Sequence, residues 1–439
     1  MAATFGGYEV TALVLDVGTA WTRAGYAGED CPKAVFPTAY GYLPEEESED
    51  KVRDNQAVDT DVSNIKKPKG KYYLGDGEIN VWRPNMEVKN PLNDGLVEDW
   101  DALEQIWDYA LKSRLHVDPR EHPLLVSEVA WNTREHREKL IELAFEKYET
   151  PAFYVAKNPV LTAYASGRPT AMILDCGAAV TSVTPVYDGF VLKKGIIKQP
   201  IAGDFINEQI LLQFGQLNLN PVPQYLVEKK NYVDPDQPAN VILRNRPNTT
   251  ASFHKYMLMK IVHEYKESVC QLYESTYNEQ VISSRPMKTF EFPDGYNTSF
   301  GTERFRAPEI LFQPSSEFII PSPEPTVDTS PCVGIHHMIF NSLVTCDIDA
   351  RPAMMSNLIV TGGSTLFPGF VDRLYHEVAP KVPGMKVRIH APGNSMERKC
   401  SSWLGGSILA SLGTFHQLWI SRKEYDEHGK GIVEKKCDY

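Results

Sequence analysis

The sequence predicts an α/β protein built of two similar domains that face each other across a cleft. Three observations carry this expectation. At 439 residues the chain is too long for one hydrophobic core. Strand-like and helix-like segments alternate along it. One pattern, an apolar run ending in Asp-x-Gly and followed by small residues, occurs twice: LVLDVGTAWTR at 13–23 and MILDCGAAVTS at 172–182.

The elements follow in chain order. Residues 10–16 read as a buried strand. Residues 44–70 read as an inserted loop, because it opens with EEESED at 45–50, whose like charges repel, and closes with the basic run KKPKGK at 66–71. A helix is expected over 98–115, with Trp100, Leu103, Ile106, Trp107, Ala110 and Leu111 on one face. Asn132 and Glu135 resemble a capping box that opens a helix carrying Leu140, Ile141, Ala144, Phe145 and Tyr148. Residues 171–175 form a second buried strand. Residues 220–250, rich in Pro, Asn and Asp, read as loop. Residues 253–273 are helical and contain Lys266 and Glu267. Five prolines between 314 and 331 exclude helix and central strand there. A third strand at 358–360 runs into Thr361-Gly362-Gly363, and 401–419 is the last long helix.

Composition narrows the function. Hydrophobic content of 42% and charged content of 23% are ordinary for a globular protein. A net charge of −12 argues against a surface that binds nucleic acid in bulk. The basic run at 66–71 reads as a solvated loop. No apolar run is long enough to span a membrane, and the first residues lack the pattern of a secretory signal. Seven cysteines without a CxxC point to a reduced intracellular protein with no zinc site and no disulfide framework. His336-His337 has no cysteine nearby, which makes it a poor metal site.

The repeated pattern has a chemistry. After Asp16 the chain must reverse tightly, and Gly18 permits backbone angles that other residues avoid. Thr19 and Ala20 are small, so their amides can approach an oxyanion, and successive amides make an anion-binding nest. Arg23 adds a fixed positive charge. Asp16 is suited to hold Mg²⁺ through water, because that ion keeps most of its hydration shell. Asp175, Cys176 and Gly177 repeat the arrangement. Two such hairpins facing each other would grip a nucleotide's phosphates with the metal between two carboxylates. Thr361-Gly362-Gly363-Ser364-Thr365 suits close backbone approach to a nucleoside.

Several segments carry a resemblance. DVGTAWTRAGYAG, EHPLLVSEVAWNTREHREK, YASGRPT, FRAPEILFQP, GGSTLFPGF and SSWLGGSILASLGTFHQLWISRKEYDE are similar to actin segments, in actin's order and over nearly the whole chain. FGGYEVTALVLD, NDGLVEDWD, AGDFI, EFPDGYN and VEKKC resemble the nuclear actin-related proteins of class four. The resemblance implies the actin-like two-lobe fold shared with hexokinase and the Hsp70 ATPase, with duplicated domains around a nucleotide cleft. It places a first subdomain at 1–37, 91–165 and 401–439. A second, holding the acidic insertion, falls at 38–90. A third falls at 166–200 and 329–400, and a fourth, with loop insertions, at 201–328. It implies ATP and Mg²⁺ as cofactors. The nucleotide positions would be Gly18, Thr19, Ala20, Trp21, Arg23, Gly177, Gly203, Lys266, Glu267, Gly362, Gly363, Phe367 and Lys399, with Asp16 and Asp175 holding Mg²⁺ through water.

The departures matter as much. Where actin positions its attacking water with a glutamine, an aspartate and a histidine, this chain has Asn158, Ala178 and Ser182. Groups of that kind contribute about 10²–10⁴-fold each, so hydrolysis is expected to be very slow or absent. The altered loops at 44–70 and after FQP are expected to block a filament neighbour, which makes a homo-filament unexpected. The resemblance implies a nuclear, ATP-binding structural subunit of chromatin-remodelling and histone acetyltransferase complexes, with roles in transcription regulation and DNA repair. It would pair with monomeric nuclear actin on a helicase-SANT-associated helix of a remodelling ATPase or acetyltransferase scaffold. The acidic run at 45–50 suits a contact with histones or nucleosomes, and equally a solvated loop. The alternative is an ATP-hydrolysing, filament-forming actin-like protein. A sugar or acetate kinase shares the two-loop clamp but lacks the match through the C-terminal segments.

Overall fold

A computed structural model describes residues 11–44, 70–322 and 327–437. The acidic run at 45–50 and the basic residues 66–69 lie outside the described residues, as do 323–326 of the proline-rich loop. The expected α/β architecture of two similar lobes is observed, each lobe built on a mixed sheet.

The first sheet runs Ile420–Ser421, Ala152–Lys157, Leu124–Glu128, Leu13–Val17, Trp21–Tyr26, Ala34–Pro37 in spatial order. The second runs Phe190–Val191, Thr181–Tyr187, Ala171–Cys176, Leu358–Thr361, Ile389–His390, with Ile197–Gln199 also paired to Thr181–Tyr187. Their central strands read as continuous apolar runs because helices cover both faces. Leu13, Val14 and Leu15, like Leu358, Ile359 and Val360, are all buried.

The two sheets repeat one topology. Leu13–Val17 pairs antiparallel with Trp21–Tyr26 and parallel with Leu124–Glu128. Ala171–Cys176 pairs antiparallel with Thr181–Tyr187 and parallel with Leu358–Thr361. The hairpin registers are equivalent: Asp16 stands opposite Arg23, and Asp175 opposite Ser182. The repeated pattern is therefore one supersecondary unit used twice.

One core gathers Leu13 through Leu161 with Trp403 through Cys437. The other gathers Met172 through Val382. The chain crosses between lobes twice, through helix Asn158–Ala165 on the way out and helix Ser401–Ser411 on the way back. These helices touch backbone to backbone: a Cβ on Gly405 would lie 1.8 Å from the carbonyl oxygen of Leu161. Trp403 anchors the returning helix, its indole N–H donating to the Val14 carbonyl at 3.1 Å. Away from the crossing, Tyr73 and Met86 pack with Tyr225, Phe253 and Met257.

Several expected boundaries move for identifiable reasons. The helix expected over 98–115 begins at Trp100, capped by the Asp99 carboxylate, and passes into a π-helical turn over Tyr109–Arg114. The next helix is capped by Thr133, whose hydroxyl accepts from the His136 amide. Asn132, expected there, instead donates to Glu128 at 2.8 Å. The helix expected to reach 273 spans Ala251–Ser268. The chain then turns to bond the Gln271 and Leu272 amides to the carbonyls of Arg304 and Pro368. The last long helix stops at Ser411, because Leu412 is extended and Gly413 follows it. The segment expected as loop over 220–250 contains a hairpin, Val227–Asn231 with Asn240–Leu243. Among the described residues, no helix is long and apolar enough to cross a membrane.

Candidate functional site

The two hairpin turns face one cleft of about 490 Å³ between the lobes. Both turns close through the same hydrogen bond. The Gly18 amide donates to the Trp21 carbonyl at 3.1 Å, and the Gly177 amide to the Val180 carbonyl at 3.1 Å. Neither glycine has a left-handed backbone, which corrects the expectation that Gly18 is there for unusual angles. Smallness is what counts. A Cβ on Gly18 would sit 3.2 Å from the Trp21 oxygen, and one on Gly177 3.4 Å from the Val180 oxygen.

What fixes the turns is the tethering of their carbonyls. Gly18 O accepts from Thr38 Oγ1 at 2.6 Å, Thr19 O from Asn90 Nδ2 at 2.7 Å, and Ala20 O from the Thr38 amide at 3.1 Å. On the other side Gly177 O accepts from Ser364 Oγ at 2.8 Å and from the Gly203 amide at 3.1 Å, and Ala178 O accepts from the Asp204 amide at 2.8 Å. In a trans peptide the N–H points opposite the C=O. Tying successive carbonyls in this way leaves the amides of each turn on the other side, the arrangement of an anion nest.

The residues expected to hold nucleotide and metal, and those at the altered water positions, line this one cleft: Asp16, Gly18, Thr19, Ala20, Trp21 and Arg23 from the first hairpin, and Asp175, Gly177, Ala178 and Ser182 from the second, whereas Cys176 is buried in the second core. Asn158, Gly203, Lys266, Glu267, Gly362, Gly363, Phe367 and Lys399 complete the wall. Two glycines make room. A Cβ on Gly203 would lie 2.7 Å from Ser364 Oγ. Gly362 has φ +93°, and a Cβ there would lie 2.3 Å from the Cys176 carbonyl oxygen.

The charges are arranged less symmetrically than the backbone. Asp16 Oδ2 lies 3.0 Å from Arg23 Nη1, and Asp16 Oδ1 accepts from Ser127 Oγ at 2.5 Å. Asp16, expected to hold Mg²⁺ through water, has protein partners on both carboxylate oxygens. Asp175 has no side-chain hydrogen bond or ion pair among the described residues. Burial, and then the nearby Asp16 charge, push its carboxyl up to about 6. Lys266 is buried and donates to Gly203 O at 3.0 Å, and burial pulls its ammonium down to about 8. Hydrogen bonding from His263, together with Lys399 at 2.9 Å, holds Glu267 at about 2.

This set fits a polyphosphate and a divalent ion. Two amide nests, one uncommitted carboxylate and two glycine cradles converge on the cleft. Among the described residues several buried polar atoms of its lining residues have no hydrogen-bond partner, Asn158 Oδ1 and Arg23 Nε among them. Sequence reasoning missed the tethering residues Thr38, Asn90, Ser127, Asp204 and Ser364. Of these only Ser364 had a local signal, standing in the third glycine turn.

A family model described as Actin matches residues 7–438. The chain belongs to the actin family. Among members of that family it is similar to Actin-related protein 4 of Oryza sativa subsp. indica, 39% identical over 444 residues, covering 99% of this chain and all of that one. It is 41% identical over 488 residues to Actin-related protein 4 of Emericella nidulans, covering 99% of this chain and 98% of the relative. Actin-related protein 4 of Arabidopsis thaliana is 38% identical over 441 residues, covering 99% and 100%. An actin-family assignment accounts for the duplicated hairpin unit and for the cleft between its two copies.

Proposed function

We propose that this actin-family chain binds ATP with Mg²⁺ as a structural ligand and hydrolyses it very slowly or not at all. The observation that carries this reading is one cleft with two intact grips and no polar side chain at Ala178. The turns at Gly18 and Gly177 both have their carbonyls tethered. Ala178 and Ser182, which occupy positions where the resemblance implies an aspartate and a histidine, line the same cleft. Asn158 stands where a longer glutamine is implied. ATP so held would join the lobes rather than drive a cycle. Single-turnover measurement on pre-bound labelled ATP tests this: ATP should remain bound and uncleaved for hours. Cleavage at actin-like rates would overturn it.

The biological setting rests on the resemblance to class-four nuclear actin-related proteins and on the similarity to Actin-related protein 4 relatives. In that reading the chain is a nuclear, non-polymerising subunit of chromatin-remodelling and histone acetyltransferase complexes, paired with monomeric actin on a helicase-SANT-associated helix. An apolar end of the molecule supports helix docking. Tyr187 and Phe190 are cross-strand neighbours, 44% and 48% exposed, and Tyr164 stands beside Gly189 between them. Large exposed apolar groups gathered at one place are typical of partner surfaces. The chain should co-purify with actin and a peptide of that helix as a three-part complex, and should stay in the supernatant of a filament-pelleting assay with ATP, Mg²⁺ and salt.

A further inference from the structure

Arg23 and Asp16 are cross-strand partners in the first hairpin. Their ion pair is 3.0 Å long, and Ser127 takes the other carboxylate oxygen. The equivalent pair in the second hairpin, Asp175 and Ser182, includes no cation. The pairing does not exhaust the guanidinium. Among the described residues Arg23 Nε is buried without a hydrogen-bond partner, although the Cys400 thiol lies against the guanidinium, and the residue lines the cleft beside the Gly18–Trp21 turn. A planar guanidinium offers five donors in a fixed fork, so it can hold a carboxylate on one nitrogen and present another to a phosphate oxygen.

A divalent ion in a phosphate site does two things: it neutralises the carboxylates around it and it bridges them to the phosphates. Arg23 is placed to do both from within the chain. The cleft also has less negative charge to neutralise, because Ala178 puts no carboxylate on the second turn.

We propose that Arg23 is a resident counter-ion of the cleft, which neutralises Asp16 and positions the triphosphate so that the chain retains a nucleoside triphosphate without a divalent cation. This rests on the reading that the cleft binds ATP. Asp175 is then the carboxylate through which a metal adds to a grip that already exists.

The test is the dissociation rate of labelled ATP from the full chain, in excess Mg²⁺ and in excess EDTA. In the wild-type chain, chelation should speed release by less than about tenfold, which is less than a single charge-assisted hydrogen bond is worth. In Arg23→Gln, chelation should speed release by well over that about tenfold margin, and Mg²⁺ should restore retention. Arg23→Lys keeps the charge without the fork and should fall between the two. The double variant Arg23→Gln, Asp16→Asn removes the buried carboxylate left unpaired, and serves if the single variant folds poorly. It should lose ATP on chelation as Arg23→Gln does. Wild-type chain that keeps ATP in Mg²⁺ but loses it in EDTA as fast as Arg23→Gln overturns this proposal alone. Wild-type chain that retains no ATP in either buffer overturns the nucleotide reading, and this proposal with it.

Discussion

Gly362 shows how one residue type can be fixed by its surroundings. Its φ of +93° is a conformation that side chains rarely adopt, and an added Cβ would collide with the Cys176 carbonyl and with Asp175 Oδ1 at 2.6 Å. Gly362→Ala should therefore destabilise the nucleotide-free chain by at least about 2 kcal/mol in urea unfolding, and should weaken ATP retention because the residue lines the cleft. His336 gives a pH dependence. Burial, and then the neighbouring His337 ring at 4.3 Å, pull its pKa down to about 4, with Lys381 and Arg373 adding to the effect and Glu377 opposing it. The fold prefers the neutral ring, so the unfolded chain binds more protons between about 4 and 6.5. Stability from this residue is full above about 6.5 and is lost as pH falls towards 4, by up to about 3 kcal/mol. His336→Phe, which keeps a ring against Phe312, should show a smaller loss of urea midpoint between pH 7.5 and 5. An equal loss in both proteins would rule out this residue as the source. At this scale the sequence was legible where a residue acts through its own type, as at Asp175 or Gly203. It was not legible where a distant partner decides. Ser127, across a parallel strand, takes one oxygen of Asp16, and nothing beside Asp16 in the sequence marks that partner.

The hairpin is the unit that repeats, and its two copies have diverged in side chains rather than in backbone. Asp16 and Asp175 start both turns, yet Arg23 and Ser182 stand at equivalent places with different chemistry. If the slow hydrolysis proposed for the second copy comes from its missing polar groups, restoring them together should reverse it. The triple variant Asn158→Gln, Ala178→Asp, Ser182→His should raise single-turnover cleavage by at least about 10²-fold, while single changes do far less because such groups act as a unit. A triple variant as slow as the parent would show that something else in the cleft limits the reaction. The elements were readable from periodicity in their interiors and less so at their ends. The helix over Ala251–Ser268 stops short because tertiary hydrogen bonds claim the amides beyond it. The hairpin at Val227–Leu243 was hidden by the turn residues between its strands, Pro235 and Pro238 among them.

At the scale of the whole molecule, two separate cores are joined by two crossing helices and by the cluster around Tyr73 and Phe253. A ligand that touches both lobes stabilises the closed arrangement by mass action. At a free ATP concentration of about 1,000 times the dissociation constant the gain is about 4 kcal/mol, which for a chain of 439 residues raises the melting temperature by about 4–5 °C. Stripped and ATP-loaded protein melting together would argue against a clamp. The two-lobe plan was legible because duplication leaves its mark in sequence; the way the lobes interlock was not, since Gly405 against Leu161 joins positions far apart in the chain.

That interlocking sets an order of assembly during synthesis. The second lobe's sheet draws all of its strands from between Ala171 and His390, so it is complete in the nascent chain while the C-terminal segments are still being made. The first lobe must wait. Its sheet lacks the edge strand Ile420–Ser421, and its face lacks the helix holding Trp403, until the residues beyond 400 have been made. Leu13, Val14 and Leu125 therefore leave the ribosome long before the residues that bury them. The newly made N-terminal half is thus the stretch that most needs a holding chaperone.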